Sequence, residues 1–148
     1  MYNIIHAMKG ENEKMDRKDI AMILRDKRYN CCQAVICAFS DDPDVDADVM
    51  FRAAEGFGGG MGCGEGPCGA LVGAVMLAGL KNSDGDTEEP KTKGTTSRLA
   101  REIYKRFNEE AGAVKCRDLK GTATGKPIRS CADCVTMGVE IAEEVLGL

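Results

Sequence analysis

The chain has 148 residues, 43% of them hydrophobic and 30% charged, with a net charge of −4 and a pI near 5.1. This is the composition of one globular domain. The acidic balance, with no basic patch interleaved with aromatics, speaks against nucleic acid as a partner. No apolar run approaches the about 20 residues of a membrane span, and MYNIIHAMKGENEK lacks the apolar stretch and small-residue cleavage site of a secretory signal. The chain is therefore expected in the cytoplasm and off the membrane. Aromatics are only 5% and Trp is absent, so the core must come from Ala, Val, Ile, Leu and Met.

Residues 1–15 read as a flexible N-terminal lead, and residues 16–148 as a single helical domain. Ile20, Ile23 and Leu24 recur at helical spacing and predict a helix over 16–27. Asn30 suits an N-cap and Gln33 stands three residues on, the spacing of a capping box. A second helix therefore opens at Cys31 and runs to the stop at Asp41-Asp42-Pro43. Asp44 or Asp46 caps a third, which carries Val49, Met50, Ala53 and Ala54 and stops at Gly56. FGGGMGCGEGPCGALVGA follows over residues 57–74, a glycine-rich loop leading into the central helix. Pro67 suits a first helical position, so that helix is predicted over 67–80.

KNSDGDTEEP is an acidic, turn-rich loop. A long amphipathic helix over 92–111 places Leu99, Ile103, Tyr104 and Phe107 on its apolar side and ends at Gly112. Residues 115–119 form at most one helical turn, and GTATGKP is loop. Ser130 with Asp133 caps a last helix whose Val135, Val139, Ala142 and Val145 or Leu146 face inward. Strand-like alternation persists nowhere. The fold class is all-α, a compact bundle of about six helices.

Eight cysteines is a high number for a reducing compartment, where cysteines at special positions point to metal binding or redox chemistry. Cys31 follows Asn30, Cys68 follows Pro67 and Cys131 follows Ser130. Each therefore falls in the first turn of a predicted helix, and Cys116 lies just before the short turn. The first N–H groups of a helix are unpaired and its dipole favours negative charge there. A thiol so placed is expected to have a lowered pKa and to hold more thiolate, which attacks disulfides and binds soft metals. Gly59 and Gly60 let the loop bend closely round a group, and successive N–H groups in such loops form an anion-binding nest. Gly69, Ala70, Gly73 and Ala74 allow another helix to approach. Cys37, within AVICAF, reads as a core residue. Cys63 stands as a resolving thiol or a substitute ligand. Cys131 and Cys134 form a CxxC at a helix start, a thioredoxin-like spacing without the surrounding βαβ pattern.

The series NC-x-QAV, GFGGGMG, CGA-x-x-GA, CR-x-L and a cysteine opening the last helix spans residues 30–146. It resembles the C-GCAxxG-C-C family, whose name marks its members as redox-active; the central motif reads CGALVG here. The resemblance implies signature cysteines at Cys31, Cys68, Cys116 and Cys131, with Cys134 the rival for the last position. It implies redox activity, with iron–sulfur clusters suspected in some members, and no defined reaction.

Two redox readings stand. Thiolates of Cys31, Cys68, Cys116 and Cys131, bordered by Gly59 and Gly60, hold an iron–sulfur cluster and pass electrons. Alternatively they act as dithiol/disulfide pairs on a redox partner protein, without a cofactor. A structural zinc site on the same cysteines, with Cys63 or Cys134 as substitute ligands, ranks below, because zinc sites favour close-spaced pairs. A helical interaction module with inert thiols is the last alternative. His6 is the only histidine, which argues against His-rich metal sites and a Ser-His-Asp set. Glu109-Glu110 and Glu143-Glu144 are expected on solvated helix faces, and no phosphate-binding fingerprint is present. The small-residue helix and short chain fit a homodimer.

Overall fold

The computed structural model describes residues 14–148. His6 and all of the expected 1–15 lead except Lys14 and Met15 lie outside the described residues. Seven α-helices are found among the described residues: α1 (Arg17–Asp26), α2 (Cys31–Cys37), α3 (Ala47–Ala54), α4 (Gly69–Asn82), α5 (Lys93–Ala111), α6 (Cys116–Lys120) and α7 (Cys131–Leu146). Two short turns, Glu55–Phe57 and Gly58–Met61, link α3 to the glycine loop. The described residues contain no strand, only an isolated antiparallel bridge between Pro67 and Lys115. The all-α expectation holds, with the short turn at Cys116 formed as a helix of its own.

The caps follow from the sequence. Asp16 accepts from the Lys18 N–H at 2.9 Å and Ser130 from the Asp133 N–H at 3.0 Å. At α2 the box closes both ways: the Gln33 N–H donates to Asn30 at 2.9 Å and the Asn30 N–H to Gln33 at 3.0 Å. Such a cap contributes about 1 kcal/mol. Of the two candidates for α3, Asp46 is the cap, accepting from the Val49 N–H at 3.1 Å. Asp42 instead closes a turn by accepting from the Asp44 N–H at 3.0 Å.

Two boundaries differ from expectation. Helix α2 ends at Cys37, because Phe39, Ser40 and Asp42 reach back only three residues, to Ile36, Cys37 and Phe39. The chain tightens toward Pro43, which disfavours a helical residue before it. Helix α4 starts at Gly69, two residues late. Cys68 is extended there, and its N–H donates to the Val114 carbonyl at 2.7 Å.

Helix α4 is the centre of the bundle and packs against α2, α5 and α7; α1 lies on α2 and α7, and α3 on α2. Small residues make this possible. A Cβ added at Gly73 would stand 2.9 Å from the Cys32 carbonyl, and one at Gly138 would stand 2.9 Å from the Ala70 carbonyl. Leu24, Ile36, Phe39, Leu71, Leu77, Ile103, Phe107 and Ile141 fill the core, joined by the expected Cys37, Val135, Val139 and Ala142. Tyr104, expected on the apolar side of α5, is 47% exposed. It sits about 100° round the helix from Ile103.

Buried Arg17 ties three parts of the chain together. It pairs with Asp41 at 3.2 Å and Glu143 at 3.3 Å, with its guanidinium 4.6 Å over the Phe39 ring. Glu143 is therefore a structural partner, not the solvated charge its helix position suggested. No helix among the described residues is long and apolar enough to cross a membrane.

Candidate functional site

Five cysteines gather where helices begin. Cys31 is the first residue of α2, Cys68 caps α4, Cys116 opens α6, and Cys131 and Cys134 are the first and fourth residues of α7. Cys68 stands between Cys31 and Cys134 and is the first influence on the acidity of each, raising the Cys31 thiol and lowering that of Cys134. Cys116 and Cys131 border this set. The charge of Cys131 acts on both Cys116 and Cys134, and that of Cys31 acts on Cys116. Cys68, Cys116 and Cys134 are buried, while Cys31 and Cys131 are half-buried. Every cysteine is a free thiol.

The α7 cysteine that couples to Cys68 is Cys134. Cys131 lies one turn earlier, toward Cys116. Cys63 is exposed and rests its thiol on the Gly60 carbonyl at 3.7 Å, outside this set of thiols. Cys32 and Cys37 point into the core, against Met76 Sδ at 3.7 Å and the Ala47 carbonyl at 3.8 Å.

The glycine loop borders this cluster. Gly59 and Gly60 adopt left-handed φ of 65° and 64°, open to glycine at little cost. The Gly59 N–H faces the Cys31 sulfur. A Cβ at Gly60 would stand 2.9 Å from the Gly66 carbonyl and 3.5 Å from Cys116 Sγ. The loop then clamps onto α6: the Cys116 N–H donates to Gly66 O and the Arg117 N–H to Gly64 O, each at 3.0 Å. Gly62, Gly64 and Gly66 donate inward to the carbonyls of Gly58, Gly59 and Gly60. Many of the loop's polar groups therefore hold the loop to itself and to α6. Glu65 adds ion pairs to Lys115, at 3.2 Å, and to Arg117. The Asn30 amide donates to the Glu55 carbonyl at 2.8 Å, fixing the start of α2 to the loop's entry.

The thiols do not all carry the acidity expected at helix starts. Hydrogen bonding to Cys68 and burial push the Cys31 thiol well above its ordinary range. The hydrogen bond to Cys134, with burial, pushes Cys68 up to about 12 despite the bond from Cys31. Burial raises Cys116 against the opposing charge of Lys120. Cys134 is the exception: the Cys68 hydrogen bond holds it below the ordinary thiol value although burial opposes. Loss of water around a thiolate outweighs the partial charge of a helix end, and a direct hydrogen bond reverses the balance. In the core, burial pushes Cys32 and Cys37 each up to about 12.

Thiolates are soft ligands of the kind that iron–sulfur clusters and zinc use. Among the described residues, however, no three His, Cys, Asp or Glu side chains are grouped to hold a metal ion. Adjacent thiols with one held toward thiolate suit disulfide exchange. Two cations at this site were passed over in the sequence. Lys120 acts on Cys116 and Arg129 on Cys134. Their signal is the density of basic residues over 115–129, among the site cysteines.

No curated protein and no solved structure matches the chain. A family model described as "Putative redox-active protein (C_GCAxxG_C_C)" matches residues 29–145, which span α2 to α7 and include all five site cysteines. The chain belongs to this C-GCAxxG-C-C family.

Proposed function

We propose that the protein is a thiol–disulfide redox protein whose exchanging pair is Cys131 and Cys134. One observation carries this reading: Cys134, held toward thiolate by Cys68, lies one helical turn from the half-buried Cys131. Residues three apart on a helix are neighbours, within the small adjustment a disulfide needs. The Ser130 cap fixes the turn that carries both.

The chemistry balances without a cofactor. The Cys131 thiolate attacks one sulfur of a partner disulfide; a Cys131–partner S–S bond forms, the partner's own S–S bond breaks, and the leaving thiolate takes a proton from solvent. The Cys134 thiolate then attacks Cys131 Sγ, expelling the second partner thiol and closing a Cys131–Cys134 disulfide. The partner gains two electrons and the protein loses two. Cys68 acts through Cys134 as a positioning residue: its hydrogen bond stabilises the thiolate that performs the second attack.

The test is to treat reduced protein with bis(hydroxyethyl) disulfide, block the remaining thiols by alkylation and map linked peptides by mass spectrometry. The expected product joins Cys131 to Cys134 and reverts with reductant. Thiols that remain fully alkylatable would overturn the reading. So would visible charge-transfer bands that bleach on reduction in protein prepared without oxygen, which would make the cysteines cluster ligands.

A further inference from the structure

The residues between α5 and α7 carry a charge opposite to that of the whole chain. Over 115–129 stand Lys115, Arg117, Lys120, Lys126 and Arg129 against Asp118 alone, in a protein of net charge −4. Glu65 engages two of these cations, Lys115 and Arg117. Lys120 stands four residues after Cys116 on α6, the spacing of helical neighbours, and Arg129 two residues before Cys131; their charges act on Cys116 and Cys134 respectively.

Arg129 is built in. It immediately precedes the Ser130 cap, its N–H reaches the Leu119 carbonyl at 3.3 Å, and its Nη2 donates to the Glu110 carbonyl at 2.6 Å. Its Nε is buried with no hydrogen-bond partner. The Arg129 side chain as a whole is only half-buried, and a carboxylate is the natural complement of its guanidinium edge. Asp133, exposed on the first turn of α7, is the acidic residue nearest in sequence to this edge.

We infer that the site selects a disulfide flanked by carboxylates, with Arg129 and Lys120 receiving the negative charge beside the S–S bond. The inference rests on the thiol-exchange reading and names its substrate class. The steps are those given above, and the carboxylates stay on the departing thiols.

The experiment compares exchange rates of the reduced protein with three disulfides: glutathione disulfide (anionic), bis(hydroxyethyl) disulfide (neutral) and cystamine (cationic). Each rate is divided by that of mercaptoethanol with the same disulfide, which removes intrinsic reactivity. At low salt the anionic probe should exceed the cationic one by roughly tenfold or more, as electrostatic steering allows. The gap should close near 1 M salt, where screening reaches about 3 Å. Lys120→Gln and Arg129→Gln should each lower the ratio of the anionic to the neutral rate several-fold, with an unchanged urea midpoint showing that the variants fold; an unchanged ratio in both would overturn the charge selection. Equal normalised rates at low salt, or a faster cationic probe, would overturn the charge selection alone. No reaction with any of the three would overturn the exchange reading and the inference together.

Discussion

Cys68, capping α4, is the first influence that lowers the thiol of Cys134, the fourth residue of α7, where the two helices pack together. Among Cys31, Cys68, Cys116 and Cys134, only Cys134 is pushed toward thiolate. A hydrogen bond worth about 1–1.5 kcal/mol corresponds to about one pKa unit. Cys68→Ala should therefore move the pH dependence of the second step, release of the second partner thiol, up by about one unit. Stopped-flow release kinetics across pH 6–10 would show it, and an unchanged profile would remove Cys68 from the mechanism.

Cys37→Ser should behave oppositely. Its thiol is fully buried, with only the distant Ala47 carbonyl at 3.8 Å to receive a hydroxyl. The substitution should cost about 1–3 kcal/mol in urea unfolding and leave the exchange rate unaltered.

Gly73 and Gly79 lie on the same helix in different surroundings. A methyl at Gly73 meets the Cys32 carbonyl at 2.9 Å and Val35 Cβ at 3.0 Å, whereas nothing lies within 4 Å at Gly79. Gly73→Ala should destabilise by about 1–3 kcal/mol. Gly79→Ala should stabilise by up to about 1 kcal/mol through helix propensity. A matched pair of chemical denaturation curves checks both signs.

Alkali should unfold the protein through its buried thiols. Burial holds Cys32 and Cys37 near 12, and the Cys134 hydrogen bond with burial holds Cys68 there, against an ordinary 9.0. The folded state keeps protons that the unfolded chain releases, so this stability is complete below about pH 9 and is lost as pH rises toward 12. The urea midpoint should fall across that window, and Cys37→Ala should make the decline shallower.

Much of the fold was legible because caps and apolar periodicity are local signals. Asn30 with Gln33 and Ser130 with Asp133 placed the starts of α2 and α7, and Gly112 placed the end of α5. The late start of α4 was not legible, since the Cys68 N–H is drawn to Val114, 46 residues on in the chain. The same distinction holds at the site. The concentration of cysteines at helix starts could be read from spacing. Which thiol is acidic could not, because the influence of Cys68 on Cys134 and the burial around Cys31 and Cys116 arise only when α2, α4, α6 and α7 meet. The docking of the glycine run was not legible either, because its Gly64 and Gly66 carbonyls accept from the Arg117 and Cys116 N–H groups of a helix about 50 residues away.

The most direct measurement is mixed-disulfide trapping in Cys134→Ser. Reduced variant is mixed with bis(hydroxyethyl) disulfide, quenched in acid and peptide-mapped by mass spectrometry. With the resolving thiol removed, one hydroxyethylthio adduct should persist on Cys131, while the wild type passes on to the Cys131–Cys134 disulfide. An adduct confined to Cys31, Cys63 or Cys116, or no adduct at all, would contradict Cys131 as the attacking thiol and Cys134 as the one that resolves it.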